Sequence, residues 1–242
     1  SLCFFSTIPF EAARKVEILP EGHPSRSLHG HSFLAQVRAF LPQNWAPFPG
    51  SETSRLEQAL TSCISPLDYS DLNSHLPVPT DENLARWVQS NCEIPGIDTV
   101  GIQSTLKQGA DLDKNNHAHI WKRFRFEAAH QLPNVVEGHK CGRMHGHSFR
   151  VTIVVSGDVN PKTGWVIDYG EIQEAFSPLE QQLDHYCLNE IEGLENPTSE
   201  VLAEWIWNRL RPDLPLLFEV AVEETSEVTE VVETVEASKE EK

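Results

Sequence analysis

The sequence has few basic residues and no long apolar segment, and each shortage excludes a class of protein. Lysine and arginine together number 19, against 36 aspartate and glutamate residues, and the formal net charge is −17. A nucleic-acid-binding protein normally carries a basic patch, which this balance does not favour. No apolar run is long enough to span a membrane, and the N-terminus lacks the features of a signal peptide. We therefore expect no nucleic-acid partner and no membrane partner.

Cysteine is also scarce. The five cysteines are scattered and odd in number, which argues against a disulfide framework. Their spacing suits a reducing compartment, and we expect a cytoplasmic protein.

The end of the chain has a biased composition, because the stretch from Glu223 to Lys242 holds eight glutamates, two lysines and no aromatic residue. This composition predicts a solvated acidic tail over residues 234–242.

A segment of the first half recurs in the second half at an offset of 116 residues, as between Arg14 and His130. An internal repeat of this length indicates two copies of one small domain, which we place at residues 1–120 and 121–233. The matching segments are residues 10–14 (FEAAR) with 126–130 (FEAAH), and 21–33 (EGHPSRSLHGHSF) with 137–149 (EGHKCGRMHGHSF).

The second copy concentrates side chains that bind metal ions. Residues 141–147 read CGRMHGH, and His130 lies shortly upstream. Three neutral histidines leave the fourth position of a tetrahedral zinc ion open, which is the arrangement of catalytic sites. Lys140 and Arg143 flank Cys141, and such cations favour a thiolate. Two alternatives stay open: Cys141 completes a closed structural zinc site, or the histidines are ordinary polar residues at strand ends.

The first copy differs from the second at the positions that carry this chemistry. An arginine cannot ligate zinc, because its guanidinium group stays protonated. We interpret the first copy as degenerate and the second as functional. The replacements are Arg14 for His130, Ser25 for Cys141, and Tyr69 for His185.

Each copy is predicted to follow the order strand, strand, helix, helix, strand, strand. Alternating apolar residues predict a strand over 148–156, and Asp168 with Glu171 three residues later predicts a helix that ends near Leu183. The other predicted elements are strands at 124–129, 217–225 and 228–232, a helix from Thr198, and a strand at about 117–122 that ends the first copy.

From about residue 123 to residue 232, the second copy resembles the 6-carboxytetrahydropterin synthase branch of the 6-pyruvoyltetrahydropterin synthase family. The Cys-x-x-x-His-Gly-His spacing is similar to that of the queuosine-pathway branch, whereas mammalian-type synthases place the cysteine farther from the paired histidines. The first copy resembles the same family at lower fidelity. The resemblance rests on residues 126–130 (FEAAH), 141–149 (CGRMHGHSF), 164–168 (GWVID), 183–185 (LDH), 195–200 (ENPTSE) and 222–225 (VEET).

The resemblance implies an α+β fold made of two tandem tunnelling-fold (T-fold) units. Each unit would be a four-stranded antiparallel sheet with two helices on one face, and units would assemble into β-barrels. Barrel closure removes the exposed sheet edges of a single unit. We therefore expect a homo-oligomer.

The resemblance also implies a reaction, in which 7,8-dihydroneopterin triphosphate gives 6-carboxytetrahydropterin, acetaldehyde and triphosphate. Zinc is the implied cofactor, Cys141 the general base, and Asp184 with His185 the pair that transfers a proton. Glu224 matches the anchor for the pterin ring. The implied site residues are His130, His145 and His147 for zinc, Cys141, Asp184 and His185 for catalysis, and Glu224 and Thr225 for substrate binding.

Two other functions stay open on the sequence. A 6-pyruvoyltetrahydropterin synthase shares the metal and the reactive residue but only eliminates triphosphate. A pterin-binding or scaffold protein would need no catalytic residues. The intact Cys141, Asp184 and His185 argue against a scaffold role for the second copy.

Overall fold

The computed structural model describes residues 2–225 and 228–233. For Thr225 and for residues 228–233 it describes the backbone alone. The predicted acidic tail at residues 234–242 lies outside the described residues. No helix in the described part of the chain is both long enough and apolar enough to cross a membrane.

The chain folds into two compact units, each of which combines an antiparallel sheet with helices. The predicted α+β fold class is confirmed. The second copy has the predicted order of two strands, two helices and two strands, whereas the first copy has an additional two-residue strand, Ser70–Asp71, between its helices. Among the described residues, unit 1 comprises 2–120 with 156–166, and unit 2 comprises 121–155 with 167–225 and 228–233.

In unit 1 the described sheet has the strand order β3-β1-β2-β4-β5. Strands β1, β2, β4 and β5 pair antiparallel, and the short β3 adds to β1 in parallel. Helix α1 packs on β1, and α2 packs on β4 and β5. The elements are β1 (Phe4–Arg14), β2 (His29–Ala39), α1 (Glu52–Ile64), β3 (Ser70–Asp71), α2 (Asp81–Asn91), β4 (Ile97–Thr105) and β5 (Gln108–Asp113).

Unit 2 repeats this plan with the strand order β6-β7-β8-β9. Helix α4 packs on β8 and β9. The ring centroids of Phe126 and Phe149 lie 5.2 Å apart in its core, as those of Phe10 and Phe33 do at 4.9 Å in unit 1. The elements are β6 (His117–His130), β7 (His145–Asp158), α3 (Tyr169–Leu183), α4 (Ser199–Leu210), β8 (Leu217–Thr225) and β9 (Val228–Glu233).

Local side-chain hydrogen bonds explain where the helices of unit 2 begin. Asp168 accepts a hydrogen bond from the Gly170 N–H group at 2.6 Å, and Glu171 accepts one from the Asp168 N–H group at 3.3 Å. This is the capping box that the sequence predicts. Thr198 caps α4 in the same way, through a 3.4 Å hydrogen bond from Val201 N–H.

Two strands are longer than predicted. The strands expected at 117–122 and 124–129 form one strand, β6, because no glycine or proline interrupts the sequence between them. The prediction that residues 117–122 form the last strand of the first copy is therefore wrong, since β5 has that place. Strand β7 begins at His145 rather than at Ser148, so it includes the His-Gly-His segment. Hence the paired histidines lie on regular strand backbone rather than on a loop.

One disulfide bond is present, although the scatter of the cysteines indicated a reducing compartment. Cys63 in α1 and Cys92 at the end of α2 are bonded, with their Cα atoms 5.2 Å apart. Because they are separated by 29 residues, the sequence does not reveal that two helices bring them together. Disulfides are rare in cytosolic proteins, so the cytoplasmic location stays a prediction. The other cysteines, Cys3, Cys141 and Cys187, are free.

Residues 156–166 belong to unit 1 because they bind the start of α2. Thr80 Oγ1 donates a hydrogen bond to the Gly164 carbonyl oxygen at 2.6 Å, and Val166 N–H donates one to Glu82 Oε1 at 3.1 Å. Glu82 is only 3% exposed. Burial raises the pKa of this carboxyl group to about 8, and the neighbouring Asp81 carboxylate adds to the rise.

This carboxyl group predicts a pH-dependent stability for unit 1. Between its unfolded pKa of 4.5 and its folded pKa of about 8, Glu82 binds more protons in the folded state. The free energy of unfolding therefore falls as the pH rises across that window, by up to about 1.4 kcal/mol per pH unit. We expect Glu82→Gln to flatten this slope in urea unfolding at pH 5, 6, 7 and 8. The control is Glu200→Gln, because Glu200 is exposed and is the second residue of α4, as Glu82 is of α2. An unchanged slope in Glu82→Gln would contradict the prediction.

Candidate functional site

Three histidine side chains of unit 2 meet at the ends of two strands. His130 is the last residue of β6, and His145 and His147 are the first and third residues of β7. Because side chains alternate along a strand, His145 and His147 lie on the same face. One ring nitrogen of each histidine lies within 4.8 Å of the others. Among the side chains that the structure describes, this is the one group of His, Cys, Asp or Glu with such geometry.

Backbone carbonyl groups orient two of these rings. His130 Nδ1 lies 3.0 Å from the carbonyl oxygen of Pro197, and His145 Nδ1 lies 2.7 Å from that of Arg143. A carbonyl oxygen only accepts hydrogen bonds, so each Nδ1 carries the hydrogen and each Nε2 presents a lone pair. Neither carbonyl partner is predictable from the sequence, since any residue supplies a backbone oxygen.

The arrangement of lone pairs fits a bound metal ion. The Nε2 atoms of His130 and His145 are 3.1 Å apart, and two lone pairs at this distance repel unless a positive charge lies between them. Two nitrogens bound to a tetrahedral zinc ion at about 2.0–2.1 Å are about 3.3 Å apart. Ligand histidines usually donate their other N–H group to a carbonyl or carboxylate oxygen, as these two do. The donor set therefore suits zinc.

Burial keeps the histidines in the form that a metal requires. His130 is fully buried, and desolvation of its ring lowers its pKa. Desolvation also lowers the pKa of His147, and the Glu224 carboxylate partly opposes this effect. Both rings are therefore more strongly biased to the neutral state than an exposed histidine. Metal binding needs that state, since a protonated nitrogen has no lone pair to donate.

Cys141 lies on the loop that leads into β7. His139 Nδ1 accepts a hydrogen bond from the Cys141 N–H group at 3.2 Å, and the Cys141 carbonyl oxygen accepts one from Leu132 N–H at 2.8 Å. These two contacts hold the backbone of a free, partly exposed cysteine. No motif in the sequence predicts this role of His139. The repeat is the one indication of it, because His23 occupies the equivalent position in unit 1 and accepts the same hydrogen bond, from Ser25 N–H.

Asp184 and His185 form a hydrogen-bonded pair on a tight turn after α3. His185 Nδ1 lies 2.9 Å from Asp184 Oδ2, and the His185 backbone has a positive φ of 62°. Asp184 also accepts a hydrogen bond from Glu127 N–H at 2.9 Å. This backbone contact, and then the His185 ring, lower the pKa of Asp184. The His185 side chain is 76% exposed, so its ring is open to solvent.

His185 and His147 line the same open cleft, which has a volume of about 560 Å³. Cys141 does not line this cleft. Within the described side chains, no hydrogen bond joins Cys141 or His185 to the three clustered histidines. The structure therefore brings His185 and His147 to one cleft and leaves Cys141 on the adjoining loop. The other lining residues are Glu127, Ala128, Ala129, Gly146, Ser148, Tyr186 and Cys187.

Glu224 lies on β8 beside the histidine cluster. Its Oε2 atom is 3.9 Å from His147 Nε2, and its side chain is 24% exposed. A carboxylate at this position can accept hydrogen bonds from a ligand. The side chain of Thr225, the other predicted substrate-binding residue, lies outside the described side chains.

Unit 1 keeps the backbone of the site without its chemistry. Tyr69 has a φ of 51°, and its N–H group donates to Glu11 O at 2.6 Å, as His185 N–H does to Glu127 O. Asp68 accepts Glu11 N–H at 2.9 Å, as Asp184 accepts Glu127 N–H. The turn is therefore a feature of the fold, and only the side chain at its tip differs.

Comparisons with known proteins give matches to the part of the chain that contains this site. Residues 119–234 match the family described as 6-pyruvoyl tetrahydropterin synthase. A 6-carboxy-5,6,7,8-tetrahydropterin synthase of Synechocystis is 47% identical over 112 residues, which cover 44% of this chain and 85% of that protein. A dihydroneopterin monophosphate aldolase of Pyrococcus furiosus is 37% identical over 98 residues, which cover 40% of this chain and 79% of that protein. The 6-pyruvoyl tetrahydropterin synthase structure of Caenorhabditis elegans aligns with a TM-score of 0.46 and 23% identity, over 49% of this chain and 96% of that chain.

Proposed function

Because the chain belongs to the 6-pyruvoyl tetrahydropterin synthase family, we propose that unit 2 is a zinc-dependent 6-carboxytetrahydropterin synthase. It converts 7,8-dihydroneopterin triphosphate and water into 6-carboxytetrahydropterin, acetaldehyde and triphosphate, a step of queuosine-type deazapurine synthesis. The observation that carries the proposal is the three-histidine cluster with its opposed Nε2 lone pairs. The 47% identity to the Synechocystis synthase supports this branch of the family.

The chain's own residues supply the acid and base groups. Cys141 is the general base that removes the proton from the first side-chain carbon. His185, oriented by Asp184, moves a proton to or from the substrate oxygen as a general acid and base. When bound, zinc supplies Lewis-acid stabilisation of negative charge on the side-chain hydroxyl oxygens. His130, His145 and His147 would hold it.

Glu224 anchors the pterin ring in this proposal. A carboxylate accepts two hydrogen bonds from the pterin amino group and the adjacent ring nitrogen. Glu224 Oε2 lies 3.9 Å from His147 Nε2, so a pterin ring bound to Glu224 would lie next to the three histidines. The Thr225 backbone follows directly on β8, and we assign this residue to the same subsite.

Glu224→Gln tests the anchor. The substitution keeps the shape of the side chain but replaces a charged acceptor by a neutral amide, and hydrogen bonds to charged groups contribute about 1.5–3 kcal/mol. We expect kcat/KM to fall by about 10- to 150-fold, mostly through KM, in steady-state kinetics. The control is Glu223→Gln, because Glu223 pairs with Arg150 at 3.3 Å. Equal kinetic effects of the two substitutions would argue against an anchor role for Glu224.

Product analysis separates the proposal from its alternatives. Zinc-loaded protein is incubated with 7,8-dihydroneopterin triphosphate, and the products are identified by mass spectrometry. A pyruvoyl pterin would indicate a 6-pyruvoyltetrahydropterin synthase instead, and unchanged substrate would favour a pterin-binding or scaffold protein. Dihydroneopterin monophosphate is the comparison substrate, because the Pyrococcus furiosus relative is named for it. Cleavage of the monophosphate alone would contradict the proposal.

We also propose that the protein forms homo-oligomers, in which T-fold units close into barrels, and that unit 1 has an architectural role. The N-terminal part of β1 has a free edge within the described part of unit 1, since β3 pairs with only Ala12 and Ala13. An exposed strand edge is a template for pairing with another strand. We also propose a cytoplasmic location, as expected from the sequence. Light scattering of the full chain measures the oligomer, and a monomer at micromolar concentration would contradict it.

A further inference from the structure

Unit 1 carries a buried arginine at the position that His130 occupies in unit 2. Arg14 ends β1, is paired with His29 of β2, and is only 6% exposed. Burying a charge is costly unless the charge is paired and hydrogen-bonded. The contacts of this guanidinium group therefore show what keeps it there.

Three partners surround the Arg14 guanidinium group. Its Nη1 atom donates to Asp81 Oδ1 at 2.6 Å and to the Pro79 carbonyl oxygen at 3.0 Å. Its Nη2 atom lies 3.3 Å from His31 Nε2, and arginine has no acceptor, so His31 Nε2 accepts this hydrogen bond. Pro79 is the equivalent of Pro197, whose carbonyl oxygen orients His130 in unit 2.

Two further residues that differ from their unit 2 equivalents, Asp81 and Ser104, belong to the same cluster. Asp81 is 1% exposed and Ser104 is 1% exposed. Ser104 Oγ donates to Asp81 Oδ2 at 2.6 Å, so both oxygens of this carboxylate have partners. All three side chains of this unit 1 cluster thus differ from their equivalents in unit 2. Arg14 and His130 end β1 and β6, Asp81 and Ser199 begin α2 and α4, and Ser104 and Glu224 are next to last in β4 and β8.

His29 and His31, the unit 1 equivalents of His145 and His147, keep the geometry of the paired histidines of unit 2. His29 Nδ1 lies 2.8 Å from the Ser27 carbonyl oxygen, as His145 Nδ1 lies 2.7 Å from that of Arg143. The ring centroids of His29 and His31 are 5.0 Å apart at an interplanar angle of 85°, and those of His145 and His147 are 5.0 Å apart at 84°. What differs is the source of the positive charge beside them.

We propose that the Arg14 guanidinium group, fixed by Asp81, is a built-in replacement for a metal ion in unit 1. It brings a permanent positive charge to the imidazole lone pair of His31, and Asp81 balances that charge. Unit 1 therefore binds no divalent ion, and the chain takes one metal ion, in unit 2. It also follows that unit 1 becomes a metal site when Arg14 and Asp81 are both replaced by the residues of unit 2.

The test is metal content rather than turnover. The double variant Arg14→His/Asp81→Ser restores a third imidazole next to the Pro79 carbonyl oxygen. It also removes the Asp81 carboxylate, which would have no counter-charge once Arg14 is replaced. After zinc loading and gel filtration, we expect one zinc ion per chain in the wild type, two in the double variant, and none in His145→Ala. The double variant combined with His145→Ala is expected to hold one. Cobalt loading gives an independent readout, through the absorption of tetrahedral Co²⁺.

The control is Arg14→Gln/Asp81→Asn, which removes both charges without adding an imidazole and is expected to gain no zinc. The proposal is wrong if His145→Ala retains a zinc ion, or if the folded double variant in the His145→Ala background binds none. If the double variant is unfolded without metal, refolding on addition of zinc supports the proposal. Failure to refold, with the Gln/Asn control folded, overturns it. The result in unit 1 does not depend on the reaction of unit 2, so the two proposals fail separately.

Discussion

Replacing His145 by alanine is expected to empty the metal site of unit 2 and to lower kcat/KM for 7,8-dihydroneopterin triphosphate by more than about 100-fold. Loss of a residue that merely supports a ligand costs 10- to 100-fold in affinity or activity, and loss of a ligand costs more. His145 presents its Nε2 atom to that of His130 at 3.1 Å, so its removal takes away one of the converging lone pairs. Zinc content and steady-state kinetics measure the two effects together.

The repeat supplies a matched control for this substitution. His29 has the same place at the start of β2, and its Nδ1 atom contacts a carbonyl oxygen in the same way. We expect His29→Ala to leave zinc content and kcat/KM unchanged, because Arg14 already supplies the positive charge in unit 1. Loss of zinc from both variants would mean that both units bind metal, and full activity of zinc-free His145→Ala would exclude a metal-dependent reaction.

Replacing Cys141 by alanine is expected to reduce kcat by about 10²- to 10⁴-fold while zinc content stays the same. General acid–base groups contribute rate factors of this size. The Cys141 backbone is held by His139 and Leu132, so the substitution removes the thiol without removing the contacts that shape the loop. Single-turnover kinetics and zinc analysis distinguish this result from loss of the metal.

Ser25→Ala is the control for the thiol, because Ser25 occupies the same loop position in unit 1 and its N–H group is held by His23 at 3.1 Å. We expect no change in kcat for this variant. If Cys141→Ala loses its zinc together with its activity, Cys141 is a ligand of a closed structural site. That outcome would support the alternative interpretation of the Cys-x-x-x-His-Gly-His segment.

Much of the fold could be predicted from the sequence because the signals for single elements are local. The capping box of α3 involves Asp168 and Glu171, which are three residues apart, and it appears where the sequence places it. The offset between Arg14 and His130 relates the elements of one copy to those of the other. The predicted lengths of β6 and β7 were too short, because both strands continue past the residues that alternate in polarity.

The candidate site was predictable in its residue types but not in its supports. The Pro197 carbonyl oxygen that orients His130 lies 67 residues away along the chain, and every residue has such an oxygen. The contact between His139 and the Cys141 backbone depends on the turn between them. The Cys63–Cys92 bond contradicts the expectation from cysteine spacing, because packing of α1 and α2 decides it.

The sequence by itself determined that the chain is a tandem repeat. It also determined which residues are available as metal ligands and that the first copy lacks one of the three histidines. These facts follow from residue identity and spacing alone. Only the tertiary structure decided that Arg14, Asp81 and Ser104 form one buried hydrogen-bonded cluster. It also decided that the imidazole lone pairs of unit 2 converge. The reason is physical: whether a buried charge is compensated depends on groups that are distant in sequence and become neighbours only when β1, β4 and α2 pack together.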